Sequence, residues 1–254
     1  MPELRKDPIS DRWVIIATER AKRPSDFKEP TGAFEQPSKD CPLCEGNEHM
    51  TPAELLAWRR PDIKPNSPGW DIRATENKFP ALVKEGDVER KGLGILDYMR
   101  GVGAHEIIIE SPKHSLGVAE MSIEEVDKVL WAYKQRIIDI EKDTRFRYVL
   151  IFRNYGQDAG ASLSHPHSQL IATPITPRTV KMELRNSREY FLEKERCIFC
   201  DLMRQEINAG ERIVSENEYF VTMAPFASRF PFELWILPRK HHSAFQEISD
   251  EERL

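Results

Sequence analysis

Four cysteines and two closely spaced histidines are the side chains of this 254-residue sequence whose types and spacing could do chemistry. The cysteines form two pairs of identical spacing, Cys41-Pro-Leu-Cys44 and Cys197-Ile-Phe-Cys200. A Cys-x-x-Cys pair places two thiolates where one metal ion can bind both. The alternative is a redox dithiol, which normally lies at the start of a helix, whereas both pairs follow polar loops. Metal binding is therefore the favoured interpretation.

The two histidines belong to His165-Pro-His-Ser-Gln169, just ahead of an apolar strand over residues 170–172. Side chains two apart in extended chain share a face, so residues 165, 167 and 169 project together. Small residues precede them, among them Gly156, Gly160 and Ser162, which let backbone N–H groups approach an anion. Imidazole beside such donors suits phosphoryl transfer. Taken alone, however, a His-x-His pair more often binds metal or makes structural hydrogen bonds.

An internal repeat organises these motifs. Residues 106–125 align without a gap onto residues 233–252, and eight of the twenty pairs are identical. Each half reads as Cys-x-x-Cys, Glu-Asn-x-aromatic, an apolar strand, and Lys-His before a helix start. The Glu-Asn motifs are Glu76-Asn77 and Glu216-Asn217. The counterpart of His165 would fall beyond Leu254, so we expect an incomplete second half.

Hydrophobic patterns predict the elements that hold this repeat together. Capping boxes at Ser122-Ile-Glu-Glu125 and Ser249-Asp-Glu-Glu252 each predict a helix start, the first followed by an amphipathic helix over 123–143. Apolar runs of strand length occur over 13–18, 106–110, 148–153, 169–172, 219–223 and 233–237. Proline-rich loops are expected over 24–37, 61–68 and 174–177. We therefore expect an α/β (α+β) fold with mainly antiparallel sheet, divided into halves over 1–178 and 179–254.

Composition and charge exclude several classes of function. The chain is 40% hydrophobic and 31% charged, with a net charge of −5, which argues against a general nucleic-acid or anionic-membrane binder. Its apolar runs fall far short of the ~20 residues that a membrane span requires. The N-terminal Met-Pro-Glu-Leu-Arg-Lys has no apolar signal core. We expect a soluble cytoplasmic protein with neither nucleic acid nor membrane as partner.

The sequence resembles the galactose-1-phosphate uridylyltransferase family of the histidine-triad superfamily over essentially its whole length. The resemblance is carried by Arg20-Ala-Lys-Arg23-Pro24, Cys41-x-x-Cys44, Glu76-Asn77, Pro112-Lys-His114, Asn154-Tyr-Gly156 and Ser164-His165-Pro-His167-x-Gln169. It implies a histidine-triad-like fold, duplicated and with the second copy truncated. It also implies a zinc cofactor and a homodimer.

The same resemblance implies a mechanism in which His167 is the nucleophile. This histidine would attack the α-phosphorus of UDP-glucose, release glucose 1-phosphate and pass UMP to galactose 1-phosphate in a ping-pong cycle. Gln169 replaces the third histidine of related hydrolases and can donate a hydrogen bond without acting as an acid or base, which favours transfer over hydrolysis. The implied substrate-binding residues are Arg20, Arg23, Asn77, Asn154, Gly160 and Ser162.

Two zinc sites are implied as well. The first is a closed structural site with the ligands Cys41, Cys44, His114 and His165. The second takes Cys197, Cys200 and His241 from the repeated half. Its fourth ligand would lie beyond Leu254. His241 is preferred to His242 because the repeat aligns it with His114, and His49 and His105 are left as polar histidines without a role.

Departures from the family pattern leave the substrate open. Lys78 follows Asn77 where uridylyltransferases carry an acidic residue, and Ser168 replaces a common glycine. The second cysteine pair resembles a sister group that transfers AMP from ADP-glucose to phosphate. The alternatives are therefore an ADP-glucose:phosphate adenylyltransferase and a non-catalytic, zinc-stabilised nucleotide-binding protein.

Overall fold

The computed structural model describes residues 3–16 and 38–253, and these ranges contain twelve β-strands and four α-helices. In chain order they are β1 (Glu3–Lys6), β2 (Trp13–Ile16), β3 (Glu54–Arg59), β4 (Trp70–Glu76), β5 (Lys91–Leu93), β6 (Leu96–Tyr98), β7 (Ala104–Ile109), α1 (Ile123–Ile140), β8 (Tyr148–Phe152), β9 (His167–Thr173), α2 (Arg178–Lys194), α3 (Ile198–Ala209), β10 (Ile213–Glu216), β11 (Phe220–Met223), β12 (Trp235–Pro238) and α4 (Asp250–Arg253). All paired strands among them are antiparallel, which confirms the expected mixed α/β class. No helix in these two ranges is both long and apolar enough to cross a membrane.

The described residues divide into two compact units. The larger unit comprises residues 38–176 and 248–253, and the smaller unit comprises residues 3–16 and 177–247. The chain passes from one unit to the other at the proline-rich segment 174–177. The N-terminal hairpin β1–β2 belongs to the smaller unit and α4 to the larger one, so the units do not coincide with the two sequence halves.

The larger unit is built on a five-stranded sheet in the order β3-β4-β7-β9-β8. Side chains alternate between its two faces. Ile72, Ile108 and Leu170 lie on one face and form the core with the apolar stripe of α1. His167 and Gln169 lie on the other face, because they occupy odd positions of β9. Helix α1 thus covers one face of the sheet, and the chemistry-bearing residues project from the opposite face.

The capping box at the start of α1 is formed as expected. The Ser122 N–H donates to the Glu125 carboxylate at 2.9 Å, and the Glu125 N–H donates to Ser122 Oγ at 3.2 Å. The same two bonds recur at α4 between Ser249 and Glu252, at 2.8 and 3.1 Å. The repeat seen in the sequence is therefore a repeat of local structure at this point.

We expect the Ser122→Ala variant to lower the free energy of unfolding by about 1 kcal/mol, because the Glu125 N–H loses its side-chain acceptor. The matched Ser249→Ala variant should lose less, since α1 contains buried residues and the described residues of α4 do not. Urea unfolding of both variants and the parent protein measures the difference. Equal losses would contradict the stabilising role assigned to the α1 cap.

One part of the proposed repeat is wrong. In each half the strand before the Lys-His pair is the third of an antiparallel series, β3-β4-β7 in one and β10-β11-β12 in the other. Glu76-Asn77 comes at the end of the second strand of its series, β4, whereas Glu216-Asn217 comes at the end of the first strand of its series, β10. The two Glu-Asn motifs therefore occupy different places in the fold and are not equivalent.

Several elements of the structure were not predicted from the sequence patterns. These elements are the helices α2 and α3 and the strands β1, β3, β4, β5, β6 and β10. Helix α2 contains no buried residue. The predicted strands over 106–110, 148–153, 169–172, 219–223 and 233–237 correspond to β7, β8, β9, β11 and β12. Positions 17–18 of the first predicted strand and the loop over 24–37 lie outside the described residues.

Candidate active site and metal centres

The first cysteine pair meets two histidines in the larger unit. One ligand atom from each of Cys41, Cys44, His114 and His165 lies within 4.8 Å of the others. Cys44 Sγ is 3.2 Å from His114 Nδ1 and 3.5 Å from His165 Nδ1. Cys41, Cys44 and His165 are buried and His114 is half-buried. Two sulfur and two nitrogen atoms at these separations match a four-ligand tetrahedral metal site.

Hydrogen bonds orient both histidine rings for this role. Nε2–H of His165 donates to the backbone carbonyl of Ser111 at 2.8 Å, so the lone pair of His165 lies on Nδ1, beside Cys44. Burial lowers the pKa of His165 to about 4, which keeps the ring neutral. His114 Nε2 lies 3.0 Å from Ser164 Oγ. Partners of this kind on the outer ring nitrogen fix the tautomer of metal-ligating histidines.

The Cys44 thiol stays protonated at neutral pH unless a cation is bound beside it. Burial, together with the adjacent Cys41, raises the pKa of Cys44 to about 12. Two thiolates cannot be held together in such surroundings without a positive charge, and a bound metal ion deprotonates its cysteine ligands. The residues present therefore fit a metal ion that takes all four side chains.

The second cysteine pair forms a related group in the smaller unit. Cys197, Cys200 and His241 bring their ligand atoms within 4.8 Å of one another, and Cys200 Sγ is 3.2 Å from His241 Nδ1. The matching 3.2 Å contact of Cys44 with His114 supports the repeat. His242 instead directs Nδ1 towards Glu247, at 3.7 Å.

The expectation that neither cysteine pair begins a helix is wrong for this second pair. Cys197 is the N-cap of α3, and Cys200 lies in the first turn of that helix. Position in the chain alone therefore does not separate a metal site from a redox dithiol here. The histidine contact favours metal, since His241 supplies a third ligand atom.

His167 is the first residue of β9 and is buried. Its Nδ1–H donates to the backbone carbonyl of His165 at 2.7 Å, because a carbonyl oxygen can only accept. The neutral ring therefore carries its lone pair on Nε2, which is the nitrogen able to act as a nucleophile. The carbonyl that accepts this hydrogen bond belongs to His165, whose ring lies beside Cys41, Cys44 and His114.

The residue after His167 is fixed on the other face of the sheet by a buried carboxylate. Ser168 Oγ donates to Glu110 at 2.5 Å, and Tyr133 OH donates to the same oxygen at 2.9 Å. Arg153 forms an ion pair with the second carboxylate oxygen of Glu110 at 3.0 Å. Burial and the Glu110 charge raise the pKa of Tyr133, which keeps its hydroxyl protonated as a donor. Sequence analysis did not identify this network, which anchors β9 next to His167.

Gln169 and Asn77 both contact His105, a histidine to which the sequence assigned no role. Gln169 Oε1 is 2.8 Å from His105 Nε2, and Asn77 Nδ2 is 3.0 Å from the same nitrogen. All three residues are half-buried. The alternation of β7 places His105 on the face that bears His167, but finding this from sequence requires the pairing of β7 with β9.

The loop between β8 and β9 carries three of the expected substrate-binding residues. Asn154 is half-buried, while Gly160 and Ser162 are at or near the surface. Gly160 has a φ of +83°, and a Cβ there would lie 3.8 Å from the Asn154 amide nitrogen. The N–H groups of Ala159 and Ala161 donate to the Gly156 carbonyl, at 3.2 and 3.1 Å, so these two donors are engaged within the loop. Arg20 and Arg23 lie outside the described residues.

A family model for the galactose-1-phosphate uridyl transferase N-terminal domain matches residues 1–177, which is more than half of the chain. The chain belongs to the galactose-1-phosphate uridyl transferase family. A second model, a domain of unknown function called DUF4921, matches residues 103–254.

Relatives within the galactose-1-phosphate uridyl transferase family carry two different names. An ADP-glucose phosphorylase of Arabidopsis thaliana is 40% identical over 98% of this chain and 69% of its own length. A galactose-1-phosphate uridylyltransferase of Thermotoga maritima is 31% identical over 100% of this chain and 71% of its own length. The crystal structure of an Arabidopsis thaliana ADP-glucose phosphorylase with bound ADP-glucose has a TM-score of 0.80 and 36% identity, and covers 100% of this chain and 73% of that one.

Proposed function

We propose that this chain is a nucleotidyltransferase in which Nε2 of His167 carries a nucleoside monophosphate between a nucleotide sugar and a phosphate-bearing acceptor. The observation that carries the proposal is the hydrogen bond from His167 Nδ1–H to the His165 carbonyl. It leaves Nε2 unprotonated in the neutral ring. Membership of the galactose-1-phosphate uridyl transferase family supports the same chemistry.

The main candidate reaction exchanges UMP between UDP-glucose and galactose 1-phosphate. The Nε2 lone pair of His167 forms a bond to the α-phosphorus of UDP-glucose. The bond from that phosphorus to the bridging oxygen breaks, and glucose 1-phosphate leaves with its electron pair. A phosphate oxygen of galactose 1-phosphate then attacks the uridylyl-histidine, and UDP-galactose leaves with the neutral imidazole restored. Several curated uridylyltransferase relatives support this assignment.

The residues around His167 suit the charge that develops on the phosphoryl group. Gln169 lies two residues further along the same strand face and can donate N–H groups to phosphoryl oxygens. Asn154, Gly160 and Ser162 lie on the adjoining loop, and we assign them to the phosphates. Asn77 is assigned to the nucleoside side. The remaining proposed phosphate contacts are Arg20 and Arg23.

We assign zinc to the cluster formed by Cys41, Cys44, His114 and His165. A donor set of two thiolates and two imidazoles is typical of structural zinc, and all four positions are filled by protein. When bound, the ion would supply rigidity rather than chemistry, by holding the ring of His165 and thereby the carbonyl that orients His167. We propose a second zinc at Cys197, Cys200 and His241, with a fourth ligand outside this group.

A second candidate reaction is transfer of AMP from ADP-glucose to inorganic phosphate. The specific observation in its favour is the 40% identity to the ADP-glucose phosphorylase, against 31% to the Thermotoga maritima uridylyltransferase. Lys78 also follows Asn77 in place of the acidic residue of uridylyltransferases. Both candidates use the same nucleophile and differ in the base and the acceptor.

Parallel incubation with UDP-glucose and with ADP-glucose tests the proposal and separates the candidates. We expect one donor to release glucose 1-phosphate and to leave the mass of one nucleoside monophosphate on the protein. Subsequent addition of galactose 1-phosphate or of phosphate should remove the adduct. A UMP adduct supports the main candidate and an AMP adduct the second. Tight nucleotide-sugar binding without an adduct or glucose 1-phosphate release would favour the non-catalytic alternative.

We further propose a cytoplasmic location and a homodimer. The four cysteines form no disulfide, as a reducing compartment requires. We also retain the division into a catalytic half over 1–178 and the start of a second half over 179–254. Sedimentation of the purified protein would measure the oligomeric state.

A further inference from the structure

The ring of His105 has a contact on each of its two nitrogens. Its Nδ1 accepts the backbone N–H of Ala81 at 3.0 Å. Its Nε2 lies 2.8 Å from Gln169 Oε1 and 3.0 Å from Asn77 Nδ2. The ring is therefore held at one end by main chain, while its other end faces two carboxamides that the proposed function places at the substrate.

These contacts decide where the protons lie. A backbone N–H is always a donor, so Nδ1 of His105 is unprotonated and the neutral ring carries its proton on Nε2. That Nε2–H donates to Gln169 Oε1, the carbonyl end of the carboxamide. Asn77 Oδ1 accepts the N–H of Phe79 at 2.9 Å, which fixes the orientation of this second amide. Asn77 Nδ2 therefore touches a protonated nitrogen and does not donate to it.

We propose that His105 is a positioning residue that holds the carboxamide of Gln169 with its NH2 end available to the phosphoryl group. This rests on the proposed function at His167. A carboxamide presents a donor end and an acceptor end of nearly the same shape. With its two ends exchanged, the Gln169 carboxamide would direct its carbonyl oxygen at the phosphoryl oxygens and repel them. The His105 bond occupies that carbonyl and so selects the donating orientation.

Variants at position 105 test this directly. The His105→Leu variant removes the donor and keeps an apolar side chain, and we expect kcat for nucleotide exchange to fall about 10-fold with KM for the nucleotide sugar little changed. The His105→Gln variant retains an N–H donor at the reach of Nε2 and should recover most of that loss. The same two changes at the exposed His49 are the matched controls and should leave kcat unaltered.

A double-mutant cycle distinguishes positioning from a general structural effect. If His105 acts through Gln169, the loss from His105→Leu should largely disappear in a Gln169→Leu background. The proposal would be overturned if the fold-losses in kcat of the two single variants multiplied in the double variant. It would also be overturned if His105→Gln lost as much kcat as His105→Leu. Thermal unfolding of each variant identifies any that fail to fold.

A measurement on the unmodified protein keeps this inference separate from the proposed function. Nitrogen-15 NMR of the histidine rings reports which ring nitrogen carries the proton. We expect the Nε2–H tautomer for His105, and an Nδ1–H tautomer would overturn the inference even in an active enzyme. If instead the protein forms no adduct with either nucleotide sugar, the proposed function fails while the tautomer still tests the hydrogen bond.

Discussion

The His167→Ala variant should lose nucleotide exchange by about 10⁴-fold or more, because the covalent route has no other nucleophile. No nucleoside monophosphate should remain on the variant after incubation with UDP-glucose or ADP-glucose. Intact mass measures the adduct, and release of glucose 1-phosphate measures the first half-reaction. The fold should persist, since the alanine removes a ring at the start of β9 and leaves the main chain in place.

The matched control is His49→Ala, which removes an exposed imidazole of the same unit. It should exchange nucleotides at the parent rate. An adduct of unchanged yield on the His167→Ala variant would refute the assignment of the nucleophile. Binding of the nucleotide sugar by that variant is expected to continue, because the amide and loop residues remain.

The Cys44→Ala variant should lose the zinc proposed for the larger unit and lower the free energy of unfolding by about 4 kcal/mol or more. Cys44 is the buried ligand that approaches both histidine rings, at 3.2 and 3.5 Å. Native mass spectrometry counts the bound metal ions, and denaturant unfolding measures the stability. Activity should fall with the metal, since His165 loses the partner that holds its ring.

Cys200→Ala provides the comparison within the same chain. Cys200 is half-buried and belongs to the three-residue group of the smaller unit, so its loss should affect stability less. It should leave the adduct on His167 intact. If the two alanine variants proved equally stable and Cys44→Ala retained its metal, the first cluster would not be the structural site proposed here.

Local rules accounted for the parts of the structure that depend on near neighbours. The capping box at Ser122, the helix that follows it and the strands around His167 could all be predicted from spacing and periodicity. The grouping of Cys41 and Cys44 with His114 and His165 was implied by the family resemblance, and the structure brings these ligand atoms together. The capping box, the helix and the strands could be predicted because each depends on a few neighbouring residues with one dominant structural preference.

Long-range pairing accounts for most of what could not be predicted. The role proposed for His105 depends on the pairing of β7 with β9, because that pairing brings its ring to Gln169. The hydrogen-bond network around Glu110 likewise depends on the packing of α1, which brings Tyr133 to the carboxylate. The helix beginning at Cys197 was missed because the cysteine pair was interpreted as following a polar loop. The surroundings of His105 and Glu110 do not follow from a local pattern, whereas α3 has an apolar periodicity of its own.

The hydrogen bond from His167 to the main chain of residue 165 bears on which substitutions this site can accept. The oxygen that accepts the hydrogen bond from His167 belongs to the backbone, so it is present whatever side chain occupies position 165. A cysteine there could still complete a four-ligand zinc centre and leave the imidazole two residues on in the same protonation state. The side chain at position 165 can therefore change without altering which nitrogen of His167 carries the proton, as long as some ligand anchors the chain at that point.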